Sequence, residues 1–237
     1  MSFDILYLMA DLNLPNHIAI IPDGNRRWAK EHNLPVLQGH RKGAQTTIEL
    51  ARKIRAMGIS TLTIWVFSTE NWKREKDEIQ GIIGLHTMLK QYVKECTRDN
   101  VKITLLGRRD RMPDNLLKVI TDAEEKTKDN TKYFLNLAFD YGGHDEIIRA
   151  IRKLTHEELA NLTPETFANN LDTGSLPYPN PDIVVRTGGE IRTSGFMPWQ
   201  STYTEYFFLE KYFPDLSESD IEKIVTEFGN RQRRFGK

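Results

Sequence analysis

The chain has 237 residues, 33 Lys+Arg against 33 Asp+Glu, and a single cysteine, Cys96. A net charge of zero argues against a nucleic-acid-binding protein, whose affinity comes largely from a basic excess, and one thiol excludes an internal disulfide and a Cys-rich metal site. No stretch approaches the roughly 18 apolar residues that span a bilayer, and residues 1–16, with Asp4 and Asp11 and no basic residue, lack the positive start of a secretory signal, so a cytoplasmic protein is expected.

Residues 17–22 (HIAIIP) read as a short buried strand ending in a turn. Ala44, Thr47, Ile48, Ala51 and Ile54 then lie at helical spacing, which predicts a helix over 41–57 closed by Gly58. The β-branched and aromatic run 59–67 is a second strand. Ile79, Ile82, Ile83, His86, Leu89, Val93 and Cys96 form one stripe, predicting a single long helix over 75–99. A strand at 101–106, a helix at 113–128 with Pro113 in its first turn, a strand at 133–139 and helices at 143–154 and 164–171 follow. Strands at 182–186 and 206–209 and a helix over 217–228, capped by Ser217, complete the pattern. Strands and helices alternate, which predicts one α/β domain over 1–237 with a mostly parallel six-stranded sheet flanked by helices and residues 1–16 as an extension.

In open α/β sheets ligands bind beyond the carboxyl ends of the strands, and three such loops have matching chemistry. The first strand is followed by Asp23, Gly24, Asn25, Arg26, Arg27 and Trp28, and the second by Ser68, Thr69, Glu70, Asn71, Trp72, Lys73 and Arg74. The fifth leads into Arg186, Thr187, Gly188, Gly189, Glu190, Ile191, Arg192, Thr193 and Ser194. Gly24 lets backbone amides approach a ligand closely, and amides at a helix start bind anions. Arg27, Arg74, Arg186 and Arg192 offer planar forks suited to diphosphate oxygens. Asp23 is a candidate ligand for a magnesium ion sharing those oxygens. Taken singly, DGN and TGG are ordinary turns, and Trp28, Trp72 and Trp199 are ordinary packing. Three anion-suited loops at one sheet edge favour a phosphate site. The chain carries no P-loop, no G-x-G-x-x-G, no H-E-x-x-H, no G-x-S-x-G and no DDxxD, and its six histidines lack metal-ligand spacing.

The segments HIAIIPDGNRRWAK, GHRKGA, FSTENWKR, RTGGEIRTSGFMPWQ and TEYFF, with similarity running from His17 to Gly236, resemble the successive signature regions of the cis-prenyltransferase (undecaprenyl diphosphate synthase) family. The resemblance implies a parallel six-stranded fold, a homodimer and Mg2+ as cofactor. The implied reaction condenses isopentenyl diphosphate with an allylic diphosphate, such as farnesyl or geranylgeranyl diphosphate, to a cis-polyprenyl diphosphate such as undecaprenyl diphosphate. It further implies that Asp23 coordinates the metal and is essential, and that Gly24, Asn25, Arg26, Arg27, Trp28 and His40 hold the allylic diphosphate. Ser68, Thr69, Glu70, Asn71, Trp72 and Arg74 match a segment that closes over substrate, with Asn71 as proton acceptor. Arg186, Arg192, Thr193 and Ser194 match the isopentenyl diphosphate site, Glu205 a second metal ligand near the dimer interface, and Arg234, Phe235 and Gly236 an ending that reaches the neighbouring subunit. No nucleic-acid partner is expected, and membrane contact is at most peripheral, at the inner face, for product release.

Three positions depart from the family pattern: Val36 stands in place of the usual arginine, and Asp140 and Gly195 where asparagine is common, the last two expected to lie outside the core roles. A growing hydrocarbon needs an apolar tunnel, for which Ile48, Val66, Ile82, Ile83, Leu89, Leu105 and Leu135 are the candidates. Val66 occupies a position where alanine is common, and the segment 72–101 is compact, which together imply a product no longer than undecaprenyl. The loop position of Asp23 leads to the expectation that Asp23→Ala spares the fold. The alternatives are a non-catalytic partner subunit of a heteromeric prenyltransferase, which would lack Asp23 and much of the loop set, and a nucleotide enzyme, for which no base-recognition motif is present.

Overall fold

The first strand is buried along its whole length without polar alternation, the pattern of a strand at the centre of a sheet covered on both faces. The computed structural model describes residues 13–231. Its elements, in chain order, begin with β1 (His17–Ile21), α1 (Asn25–Glu31), α2 (Val36–Ala56), β2 (Thr61–Ser68), a 3-10 turn (Thr69–Lys73), α3 (Lys76–Gly84) and α4 (His86–Arg98). They continue with β3 (Val101–Leu106), α5 (Asp114–Thr127), β4 (Tyr133–Tyr141), α6 (Gly143–Lys153), α7 (His156–Ala160) and α8 (Pro164–Ala168). After β5 (Ile183–Arg186) and β6 (Glu205–Phe208) come a second 3-10 turn (Phe213–Asp215) and α9 (Glu218–Asn230).

The six strands form one sheet in the order β3-β4-β2-β1-β5-β6, and every pairing is parallel. Alternate side chains of β1 serve opposite faces. Ile18 and Ile20 pack with Leu50 and Ile54 of α2, Tyr92 and Cys96 of α4, and Ile221 and Phe228 of α9. Ala19 and Ile21 pack with Leu176, Phe196 and Met197 on the other face. A polar thread crosses this core: Thr63 Oγ1 accepts from Asn136 Nδ2 at 3.0 Å and lies 2.8 Å from His17 Nε2. Burial depresses the His17 pKa to about 4, so the ring stays neutral where a charge would be costly. No helix among the described residues is long and apolar enough to cross a membrane.

Chain order reverses at β1, whose neighbours are β2 on one side and β5 on the other. Such a switch point opens a crevice at the carboxyl ends of the two strands, and here these ends are Ile21 and Arg186, which are paired in register.

Two differences from the sequence reading shape this region. The stripe over 75–99 is two helices rather than one. At the break, Leu85 N donates to Ile82 O and His86 Nδ1 lies 2.7 Å from Ile83 O, so a side chain takes up a carbonyl that would otherwise carry the helix onward. Gly84, with no side chain to pack there, weakens the same turn. The second difference is in β2, where Trp65 pairs with Ala138 and Phe67 with Phe139, leaving Val66 as the extra residue of a bulge. Its side chain is thereby released from the strand's regular alternation. The short helices α1 and α7 carry too few apolar positions to have been read from periodicity.

Candidate active site

Asp23 and Arg186 meet at the switch point. The Arg186 guanidinium, its side chain only 6% exposed, donates to Asp23 Oδ2 at 2.9 Å and to Ser194 Oγ at 2.9 Å, and also to the Arg192 carbonyl. Arg27 completes the cluster, its Nη2 at 3.0 Å from Asp23 Oδ1 and its Nη1 donating to Gly188 O at 2.7 Å. Thr187 Oγ1 donates to the Asp23 carbonyl at 2.7 Å. One carboxylate therefore ties the loop after β1 to the loop after β5. The backbone that makes this possible is unusual: Gly188 and Gly189 have φ of 85° and 76°, values that glycine adopts at no steric cost. A Cβ on Gly188 would also come within 2.6 Å of Arg27 Nη2. Gly24, at φ 104°, is pressed against the Tyr212 ring, which a Cβ would meet at 2.6 Å.

A second cluster lies at the mouth of a cavity. Glu78 of α3 accepts from Arg74 Nη1 at 2.9 Å, lies 3.1 Å from His40 Nε2, and faces Arg26 Nε at 3.9 Å. Glu78 and His40 side chains are each 11% exposed. Burial, first of all, holds the His40 pKa below the usual histidine range, and the Arg74 and Arg26 charges add to that while Glu78 opposes it. The sequence reading missed Glu78; its spacing four residues after Arg74 is the local signal of an ion pair, but nothing local points to His40.

The cavity, about 170 Å³, is bounded by β2, β4 and the helices α2 to α5. It runs beside α2 from His40 to Ala51, roughly 16 Å at the helical rise, and Tyr92 and Leu135 stand among its lining residues. Six of the seven predicted tunnel residues line it: Ile48, Val66, Ile82, Ile83, Leu89 and Leu135. Leu105 does not; it is buried with Phe67, Met112 and Leu116 in a core cluster that adjoins the cavity through Ile82 and Ile83. The bulge places Val66 on the cavity wall, 40% exposed. Asn25 and His40 also border the cavity, which joins the cationic mouth to the apolar interior. Asn25 Oδ1 is buried there without a partner.

The remaining predicted residues are placed as follows. Asn71 Oδ1 accepts from the Ser68 amide at 3.0 Å, and Glu70 is exposed. Thr69 packs against Gly142, where a Cβ would come within 2.6 Å of its hydroxyl. Trp72 donates to Asp140 Oδ1 at 2.8 Å and meets Phe67 and Phe139 edge-on. Asp140, fully buried at φ 50° and also paired with Arg111, is therefore the anchor of the Ser68–Arg74 segment and not the bystander expected from sequence. Arg192 pairs with Glu190, and Thr193 lies between it and Ser194. Trp28 is turned to Asp215 at 2.7 Å and stacks on His32, and it does not line the cavity. Val36 is exposed beside Leu37. Glu205 opens β6 opposite Ile183, three steps or about 10 Å towards the amino end of the sheet from the Arg186 level. Within one chain it is not brought to Asp23; it pairs with Arg231 instead. Arg234, Phe235 and Gly236 lie outside the described residues.

Three comparisons agree with this geometry. Residues 21–236 match the family model described as "Putative undecaprenyl diphosphate synthase". Isoprenyl transferases from Streptococcus thermophilus and Clostridium acetobutylicum are 39% and 40% identical over 94% of this chain, covering 94% and 90% of their own lengths. Among solved structures, lavandulyl diphosphate synthase from Lavandula x intermedia, in complex with dimethylallyl diphosphate, superposes with a TM-score of 0.88 at 30% identity, over 94% of this chain and 99% of its own. A probable undecaprenyl diphosphate synthase from Campylobacter jejuni gives 0.78 at 35% identity, over 95% and 100%. With its diphosphate-suited loops at the switch point and an apolar cavity behind them, the chain belongs to the undecaprenyl diphosphate synthase family of prenyltransferases.

Proposed function

We propose that the chain joins isopentenyl diphosphate to an allylic diphosphate, farnesyl or geranylgeranyl diphosphate, with magnesium, to give a cis-polyprenyl diphosphate no longer than undecaprenyl. The observation that carries this reading is the continuity of cationic mouth and apolar cavity: His40 pairs with Glu78 and also lines the cavity, so one site can hold a charged headgroup and its hydrocarbon tail. Arg26, Arg74 and His40 would take the allylic diphosphate, and Arg186 with Arg192, Thr193 and Ser194 the isopentenyl one. Both clusters stabilise the charge that develops on the departing pyrophosphate. C4 of isopentenyl diphosphate forms the new bond to C1 of the allylic partner as the C1–O bond breaks and its electron pair leaves with pyrophosphate. Loss of a proton from C2 completes the alkene, and Asn71 is the group assigned to receive it. Closure of the segment anchored by Trp72 on Asp140 orients the substrates and excludes water.

Asp23 suits magnesium, which takes one or two carboxylates and completes its shell with substrate phosphates. Among the described residues no three His, Cys, Asp or Glu side chains converge, so the ion would depend on diphosphate oxygens beside Asp23. When bound, it would supply charge neutralisation for the leaving group. Because Glu205 lies at the other end of the sheet, any metal role for it belongs to a homodimer, in which it would serve a site with the second copy. The purified chain, given magnesium, farnesyl diphosphate and isopentenyl diphosphate, is expected to make products up to undecaprenyl, and Val66→Ala longer ones. Absence of a prenyl product, or a product of dolichol length, overturns the reading.

A further inference from the structure

The Glu78 cluster has more charge than an ordinary surface ion pair needs. Three basic side chains from three separate segments, Arg26 of α1, His40 of α2 and Arg74 after the first 3-10 turn, converge on one largely buried carboxylate. Two of these residues lie 38 and 52 positions before Glu78, so the convergence is tertiary. It sits where Asn25 and His40 border the cavity, and Asn25 Oδ1 is buried there without a partner.

We propose that Glu78 holds the place of the allylic diphosphate, a built-in carboxylate that keeps Arg26, His40 and Arg74 gathered until the incoming headgroup displaces it from them. The proposal rests on the function set out above. Without a counter-charge, the two guanidiniums at this spacing repel, and the empty mouth would splay. A carboxylate holds them at modest strength, because the cluster is partly solvated. A diphosphate carries more charge and more acceptor oxygens on the same donors, so it wins the exchange. Glu78 thus lowers the affinity of the site while preserving its shape, which makes it a positioning residue.

The test uses farnesyl thiolodiphosphate, an allylic analogue that does not ionise readily, titrated calorimetrically into the full chain. Glu78→Gln, which keeps size and loses charge, is expected to bind the analogue about tenfold more tightly, with affinity for isopentenyl diphosphate unchanged. Glu78→Asp, which keeps the charge, is expected to stay within about twofold of the parent. Unchanged or weaker binding by Glu78→Gln would mean that Glu78 only braces α3, and the proposal falls. Should that variant not fold, the parent decides: a crystal structure of its analogue complex with Glu78 still bonded to His40 and Arg74 overturns the proposal, and a carboxylate parted from both supports it. Failure of the parent to bind the analogue at all would sink the functional reading as well.

Discussion

The two cationic clusters share a plan and differ in how they are built. Around Asp23, which follows β1, Arg186 ends the adjacent strand and is buried, Arg27 comes from the first turn of α1, and glycines in left-handed conformation fix the loop. Around Glu78, the partners come from two helices and a turn, Arg26 is 62% exposed, and one member is a histidine. The first cluster is held by the sheet and carries only arginine cations. The second is assembled by helix packing at the cavity mouth and contains a histidine that burial holds below its usual range. On the proposed function, the sheet-edge cluster suits the isopentenyl headgroup, and the helical one the allylic headgroup, whose tail would lengthen with every cycle.

The largest expected effect tests the fixed cluster. Asp23→Ala is expected to lower turnover by about a thousandfold, on the order of losing one pre-organised charge contact. The fold is expected to survive with a lower melting temperature, because the buried Arg186 guanidinium loses its carboxylate but keeps Ser194 Oγ and the Arg192 carbonyl. Asp23→Asn, which keeps an acceptor oxygen, should lose turnover with a smaller drop in melting temperature. Wild-type turnover in either variant at saturating magnesium would break the assignment.

A smaller effect separates the two sites. Replacing the planar fork by an ammonium in Arg186→Lys is expected to raise KM for isopentenyl diphosphate about tenfold and leave the allylic KM within twofold, and Arg74→Lys to do the reverse. Steady-state kinetics with each substrate varied in turn would show the pattern. If the two variants exchange their effects, the sites have been assigned the wrong way round.

The smallest effect is in the pH dependence. Because His40 is held below the usual histidine range, it is mostly neutral at pH 7 and gains charge as the pH falls. As the pH falls below the usual histidine range, affinity for the allylic diphosphate should therefore rise relative to that for isopentenyl diphosphate, whose arginine partners do not titrate. Taking the ratio of the two cancels the protonation of the diphosphates themselves. His40→Asn should flatten the ratio, and a flat ratio in the parent would remove His40 from the allylic site.

Much of this arrangement was legible in the sequence because it depends on short-range order. Apolar runs bounded by turns located all six strands within a few residues, and Ser217 was read correctly as a helix cap, its side chain accepting from the Asp220 amide. The glycine- and arginine-rich loops after β1 and β5 were placed at one sheet edge from the strand ends alone, and there Asp23, Arg27 and Arg186 do meet. Six of the seven tunnel candidates line the cavity because a cavity wall and a core share one apolar pattern; the same ambiguity explains Leu105, which is core.

What tertiary structure decided was which distant groups meet. The sequence by itself determined the strand ends and the chemistry placed on them, through periodicity and turn residues acting over a few positions. It could not reveal that Glu78 closes on His40, that Asp140 anchors Trp72, that Trp28 turns to Asp215, or that Glu205 starts its strand at the far end of the sheet. The bulge at Val66 and the break at Leu85 belong to the same class, because each depends on how an element meets its neighbours or on a side chain competing for one carbonyl. Local propensity specifies an element over a few residues, whereas strand order, register and helix packing set the long-range pairings, and those pairings gather single side chains into a site.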